Sequence, residues 1–414
     1  MRTEKLGNLA EFRNGLNYTD ADNGSGLAVV GVSDFKDEVV IDTGNLPQLS
    51  LSALSKPDAL IQQGDILFVR SNGNRELIGR SVYVNAEPAM PTSHSGFTIR
   101  CRFRDPRCHP RYYAYLFRGS IIRQILSAQG GGTNISNLNQ QILAELNVPV
   151  PDFPMQERIA SILSAYDDLI EVNQRRVAIL EDMARRLFDE WFVHFRYPGH
   201  EAVLLVETEL GMVPEGWTPR TLSWWTEEVR DTVSPQQVEP LVAYVGLEHL
   251  PRRSTTLVEV GKAQDVTSSK LKFEAGDILF GKIRPYFHKV ALMPFSGVCS
   301  TDAICIRPTN PKRTALILGL TSSDAFVAHA VATSNGTKMP RADWKVLKNY
   351  PLPEAPEPLL DAFERTVHPM VDSAANLAAQ NNRLRAARDL LLPKLISGRI
   401  DVSVAEQTFA EAAE

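Results

Sequence analysis

Read for side chains that could do chemistry, the 414-residue chain offers loops and no catalytic cluster. Its nearest approach to a phosphate-binding loop is Gly276-Asp-Ile-Leu-Phe-Gly-Lys282-Ile283. A P-loop needs a flexible glycine-rich turn, then Ser or Thr after the lysine to reach magnesium. Here the interior is Ile-Leu-Phe, a strand, and Ile283 takes the last position. His94 and His109 lie near Cys101 and Cys108 without ligand spacing, so core or surface roles are expected and no metal. There is no GxSxG elbow, no HExxH, no helix-opening GxGxxG and no Asp/Asn-Pro-Pro-aromatic stretch of the amino-methyltransferase type. The chain reads as a binder and organiser, with no catalytic residue and no cofactor of its own.

Binding chemistry is easier to find. The pentapeptide GDILF stands at Gly64–Phe68 and again at Gly276–Phe280. After the first copy come Arg70, Ser71, Asn72, Asn74 and Arg75; after the second come Lys282, Arg284 and Tyr286. Donors and acceptors on flexible loops suit base edges, and Lys or Arg suit phosphates. Two further segments, Gly130-Gly-Gly-Thr133-Asn134 and Asn335-Gly-Thr337-Lys338, have the Gly/Thr/Asn content of a backbone lying close to phosphate. For any single residue an ordinary turn is the competing reading. The ladder Arg100, Arg102, Arg104, Arg107 is either a phosphate track or a solvated edge.

The elements that must carry these loops repeat. Ala28-Val-Val-Gly-Val parallels Ala243-Tyr-Val-Gly-Leu at an offset of 215; the GDILF copies are 212 apart. Gly132-Thr133 parallels Gly336-Thr337 at 204, and Val148-Pro-Val-Pro151 parallels Tyr350-Pro-Leu-Pro353 at 202. Matches in order with a steadily shrinking offset mean one unit of about 200 residues present twice, far longer than a solenoid repeat. Each unit opens with short β-branched and aromatic runs broken by Gly, Pro and Asn. A short helix is expected to follow, over 110–127 and 312–332, giving a mixed α+β domain.

A long helix closes each unit. In the first, Ile159, Leu163, Tyr166, Ile170, Asn173, Val177, Leu180, Ala184, Leu187 and Trp191 step by 4 and 3, a sustained heptad spacing. Such a helix runs about 57 Å at about 1.5 Å per residue. The second seam includes Leu377, Asn381, Leu384 and Leu391, with Pro369 and Pro393 expected to kink or split the helix. Asn173 and Asn381 either fix register from within the seam or face solvent at its edge. Matching seams separated by a globule predict antiparallel packing, with the two globules held apart. The fold class expected is α+β: two similar mixed α/β globular domains separated by an antiparallel coiled coil, with an internal pseudo-two-fold repeat.

Charge points the same way. The net charge is −5, yet residues 61–126 hold 10 Lys/Arg against 4 Asp/Glu and residues 251–313 hold 11 against 5, each +6. The remainder therefore carries −17. A basic island around each GDILF is the footprint of a polyanion partner, unless each is merely a solvated surface. No apolar run approaches the ~20 residues that span a bilayer, and the N-terminus lacks a signal-peptide core. A cytoplasmic location is expected, with Cys101, Cys108, Cys299 and Cys305 as reduced, partly buried thiols. A disulfide within each pair is the alternative.

Several stretches resemble the specificity subunit of Type I restriction–modification enzymes. Val148–Arg176 looks like that family's first conserved region, and its EMxRxLxxxWF pattern is echoed by Asp182-Met-Ala-Arg-Arg-Leu-Phe-Asp-Glu-Trp-Phe192. Gly211-Met-Val-Pro-Glu-Gly-Trp217 is similar to the opening of its second recognition domain, and Arg388–Gly398 to the end of its second conserved helix. The resemblance covers residues 5–402, with Pro369 a departure. It implies target recognition domains at 1–151 and 219–353, a conserved central helix at 152–197, a linker at 198–218 and a distal helix at 354–398. A disordered tail would occupy 399–414. It further implies a non-catalytic subunit whose domains each read half of a bipartite, asymmetric double-stranded DNA site. The helix pair would set the spacing and dock two modification subunits. S-adenosylmethionine and adenine N6-methylation would then belong to those partners, and ATP and Mg to restriction subunits that can join. A DNA-binding architectural or scaffold protein outside restriction is the competing class.

Overall fold

The computed structural model describes residues 2–35, 39–54, 57–128, 138–209, 211–336 and 338–396. The chain divides into two compact units, one formed by 1–170 with 383–414 and the other by 171–382.

In the first unit the strands order as Ala10–Asn14, Thr98–Phe103, Ile66–Val69 and Ser81–Tyr83, antiparallel throughout. A second sheet orders as Gln48–Ser50, Gly26–Val30 and Thr92–His94, the last two parallel. The GDILF segment is the third strand of the first sheet. Successive side chains on a strand point to opposite faces. Ile66 and Phe68 accordingly enter a core with Tyr112, Tyr113 and Phe117, while Leu67 and Val69 enter another with Val30 and Phe35. Burial on both faces is why the pentapeptide is apolar without alternation.

The second unit repeats the plan. Its strands order as Thr226–Val229, Ala303–Pro308, Ile278–Gly281 and Val290–Leu292, again antiparallel. Ala243–Val245 runs parallel to Gly297–Cys299 within a five-stranded sheet. Ile278 and Phe280 face one core and Leu279 another. The duplication read from four short matches is thus a duplication of sheet order and strand direction.

The single short helix expected in each copy is two. Pro110–Arg118 and Ser120–Ala128 are separated by Gly119, whose φ −58 and ψ 141 are extended. Thr314–Thr321 and Asp324–Ala332 are separated at Ser323, whose hydroxyl caps the second helix by accepting from the Phe326 N–H at 3.1 Å. No single helix among the described residues is long and apolar enough to cross a membrane. One bent pair, Pro311–Thr321 with Asp324–Ala332, passes that test by composition, and its Leu316, Ile317 and Phe326 are core residues.

The central helix runs Phe153–Phe188 and the distal helix Glu357–Ile396. Within the first unit Ile159, Leu163, Tyr166 and Ile170 share a core with Leu384, Leu391 and Leu395, and Asp167 pairs with Arg388. Within the second unit Asn173 pairs with Asn381, and the Phe192 ring lies 4.9 Å from that of Phe363. Rising numbers on one helix meet falling numbers on the other, so the pairing there is antiparallel. Val177, Leu180, Ala184, Leu187 and Leu377 are half-buried, a looser stretch of the seam. Neither proline splits the distal helix. Pro369 and Pro393 are both exposed, so the carbonyl each leaves unpaired can be met by water, while Val367, Ala374, Leu391 and Leu395 stay buried on the opposite side.

All four cysteines are free and buried. Burial raises every thiol pKa, that of Cys299 to about 12.

Candidate nucleic-acid interface

Each GDILF begins with a glycine in the left-handed region, φ 92 at Gly64 and φ 93 at Gly276, a turn that favours glycine. The following aspartate is buried. Asp65 accepts two hydrogen bonds from Arg102, from Nε and Nη2, both at 2.7 Å. Asp277 accepts the same pair from Arg307, again both at 2.7 Å. Each carboxylate also closes its own turn, accepting from the Gln62 N–H at 2.8 Å and the Glu274 N–H at 2.7 Å. A bidentate guanidinium–carboxylate pair fixes geometry as well as charge, and it raises the pKa of both arginines. The conserved spelling within the chain is therefore an anchor: glycine for the turn, aspartate for the brace, Ile-Leu-Phe for two cores.

What the anchor holds is the loop beyond the strand. The Arg70 N–H donates to the Phe97 carbonyl at 2.8 Å, and the Arg70 carbonyl accepts from the Leu138 N–H at 2.9 Å. Lys282 occupies the same place, donating to the Asp302 carbonyl at 3.0 Å and accepting from the Ala342 N–H at 2.9 Å. In the second copy Ile283 pairs with Arg341, and the Arg284 N–H donates to the Pro340 carbonyl at 2.8 Å. The Lys282–Tyr286 loop and residues 340–342 therefore lie side by side, grouping Lys282, Arg284, Tyr286 and Arg341. Tyr286 is half exposed, and Lys338 is exposed. Among the described residues the Lys282 and Lys338 ammonium groups have no ion-pair partner. Arg284 at φ 50 and His288 at φ 52 hold the loop in a left-handed backbone that costs non-glycine residues energy. Arg252 covers the Phe287 ring, 4.2 Å from its centroid.

In the first copy Arg70 and Ser71 are half-buried, and the Arg70 Nη1 reaches the Gly96 carbonyl at 3.4 Å. Asn72 Oδ1 accepts from the Asn74 N–H at 2.8 Å and Asn74 Oδ1 from the Glu76 N–H at 3.0 Å, so both asparagines also shape the turn. Arg75 opens the short turn Arg75–Leu77. Thr133, Asn134 and Thr337 lie outside the described residues.

The arginine ladder divides: Arg100 and Arg102 turn into the domain, while Arg104 and Arg107 form a solvated edge of surface ion pairs, their side chains 70% and 48% exposed. Arg100 is buried and donates to the carbonyls of Asp58 and Leu60; Arg102 braces Asp65; Arg104 meets Glu11; Arg107 meets Glu4 and Asp105. The first two cations are consumed inside the domain, and the outer two are paired at its surface. Two residues beside the anchored loops went unnoticed in the sequence, Phe97 and Asp302. They stand at equivalent places, Ser95-Gly-Phe97 and Ser300-Thr-Asp302, at an offset of 205 that fits the shrinking series.

A duplicated mixed α/β domain presenting anchored polar loops, followed in each copy by a long helix, defines the class of fold. Residues 3–182, spanning the first copy and most of the central helix, match the family model described as Type I restriction modification DNA specificity domain. Beyond that segment the chain is similar to the specificity subunits of Type I restriction enzymes. It is 26% identical to the Type I restriction enzyme MjaIX specificity subunit of Methanocaldococcus jannaschii over 305 residues, covering 70% of this chain and 69% of the relative. It is 24% identical to the EcoDI specificity subunit of Escherichia coli, covering 69% of each. The crystal structure of a Type I restriction–modification S subunit from M. genitalium superposes with a TM-score of 0.57 over 95% of both chains at 13% identity, a likeness of fold.

Proposed function

We propose that this chain is the DNA-reading subunit of a Type I restriction–modification complex, each α/β domain reading one half of a bipartite, asymmetric site. Supporting this most directly is the paired anchor: Asp65–Arg102 and Asp277–Arg307 brace the same strand in two diverged copies, and different polar loops leave it. Duplicated readers that have diverged suit unlike half-sites, whereas a symmetric homodimer is confined to a palindrome. The long helices set the half-site spacing and dock two modification subunits. Exposed Val172, Ile179 and Met183 along one side of the central helix suit such a partner. The chain itself is non-catalytic: S-adenosylmethionine and adenine methylation belong to the modification subunits, and ATP and Mg to any restriction subunit. The complex works in the cytoplasm.

Methylation-sensitive sequencing of a host genome with and without this gene, alongside its modification subunit, tests the proposal. The expected result is N6-methyladenine at one bipartite motif that disappears with the gene. Methylation unaffected by deletion, or confined to a contiguous palindrome, overturns it.

A further inference from the structure

The two domains carry one further equivalence, a tight turn before the strand that braces GDILF. In the first, the Ser95 N–H donates to the Val30 carbonyl at 2.9 Å, the Ser95 hydroxyl accepts from the Phe97 N–H at 3.2 Å, and the Thr98 N–H donates to the Ser95 carbonyl at 2.9 Å. In the second, the Ser300 N–H donates to the Val245 carbonyl at 3.0 Å, the Ser300 hydroxyl accepts from the Asp302 N–H at 3.2 Å, and the Ala303 N–H donates to the Ser300 carbonyl at 3.0 Å. The fourth bond of each set ties the tip to the cationic loop, through Arg70 or Lys282, as described above. The same four bonds recur between equivalent atoms, while the tip side chain differs.

The difference is large in chemistry. Phe97 is 63% exposed, more than any other aromatic among the exposed hydrophobic residues. An aromatic held in water on a turn tied by three backbone bonds and one to a serine hydroxyl stabilises little in its own domain, but it suits a thymine methyl or an unstacked base. The Asp302 side chain is 39% exposed, 3.8 Å from Arg341. A carboxylate repels phosphate, so among cations it is ill suited to backbone contact. It suits the exocyclic amino group of cytosine or adenine, which donates where phosphate accepts.

We infer that the turn tips Phe97 and Asp302 are equivalent specificity-determining positions, an apolar contact in one half-site and a hydrogen-bond acceptor in the other. This rests on the DNA-reading proposal and goes beyond it by assigning one position per domain. Placement is owed to the braced turn, and discrimination to the side chain alone.

The test uses the full chain in complex with its modification subunit. Genome methylation first defines the wild-type motif, and binding is then measured on duplexes carrying every single base-pair change in it. Phe97→Ala should flatten discrimination at one base pair of one half-site by about tenfold, the worth of one good base contact. Asp302→Asn, which keeps size but loses charge, should change the preferred base at one pair of the other half-site. Leu51→Ser, an exposed change remote in sequence from both loops, is the control. Where Phe97→Ala fails to assemble, Phe97→Asn, a polar residue suited to a turn, should show the same selective loss. Unchanged discrimination at every position, or a uniform affinity loss across all sequences, overturns the inference and makes Asp302 merely a counter-ion for Arg341. A wild-type complex with no bipartite motif sinks the functional proposal instead, so the two failures are distinguishable.

Discussion

At the scale of the residue, charge alone was a poor guide to which cations face a partner. Charges of one sign look alike in a sequence, but acceptors decide their use. Arg100, Arg102, Arg104 and Arg107 are spent on carbonyls and carboxylates of their own domain, whereas Lys282 retains an ammonium without an ion-pair partner among the described residues. Lys282→Ala or Arg284→Ala should therefore weaken DNA binding by the assembled complex. If the lost contact is to phosphate, the slope of log affinity against log salt should fall by about one. Binding and slope unchanged in both variants would remove this loop from the contact set. A second prediction concerns His94, fully buried with Nδ1 2.8 Å from the Thr98 hydroxyl. Burial first, then Arg100, Arg13 and Arg102, lower its pKa from 6.5 to about 3. The folded state thus rejects a proton that the unfolded chain binds. The first domain should be most stable above pH 6.5 and lose stability as the pH falls from there toward about 3. Hydrogen exchange of the Thr92–Phe103 segment would follow this, and His94→Gln should flatten the dependence. An unaltered profile in that variant would assign the acid sensitivity elsewhere.

At the scale of the element, the seam combines apolar knobs with one polar pair. Asn173 Nδ2 donates to Asn381 Oδ1 at 3.0 Å and to Gln380 Oε1 at 2.7 Å. Both asparagines are buried, so neither faces solvent at the seam's edge. Replacing one removes a buried amide–amide bond and should cost about 1–3 kcal/mol; replacing both with leucine should be nearer neutral. A double-mutant cycle on Asn173→Leu and Asn381→Leu by urea unfolding reads this directly, and additive single effects would rule out coupling. The helices tolerate proline for a related reason. Propensity counts Pro369 as a break, but its missing donor lies on the exposed side and the buried side supplies the stabilising contacts.

At the scale of the whole molecule, the division of labour between reading and chemistry makes one prediction. Purified chain with S-adenosylmethionine and DNA should transfer no methyl group, and activity should appear when the modification subunit is added. Methyl transfer by the chain alone would overturn the non-catalytic assignment. The near-P-loop at Gly276–Ile283 is itself no phosphate cradle, since Ile278–Gly281 is a strand buried on both faces.

Order along the chain was legible without coordinates. GDILF, the VGV/VGL and Pro-x-Pro matches and the 3–4 seam are local patterns, and local patterns record which side chains must be buried at which spacing. They determined the duplication, the strands, both long helices and the asparagine at each seam. Partnership was not legible, because a hydrogen bond between Asp65 and Arg102 or between Arg70 and Phe97 joins residues dozens of positions apart. Only the tertiary structure decided that Arg100 and Arg102 serve the interior, that the loop of Lys282 and Arg284 lies against Arg341, and that Phe97 and Asp302 stand on equivalent turns. Burial has a period that a sequence can carry; the choice of acceptor for a given cation is made by three-dimensional proximity alone.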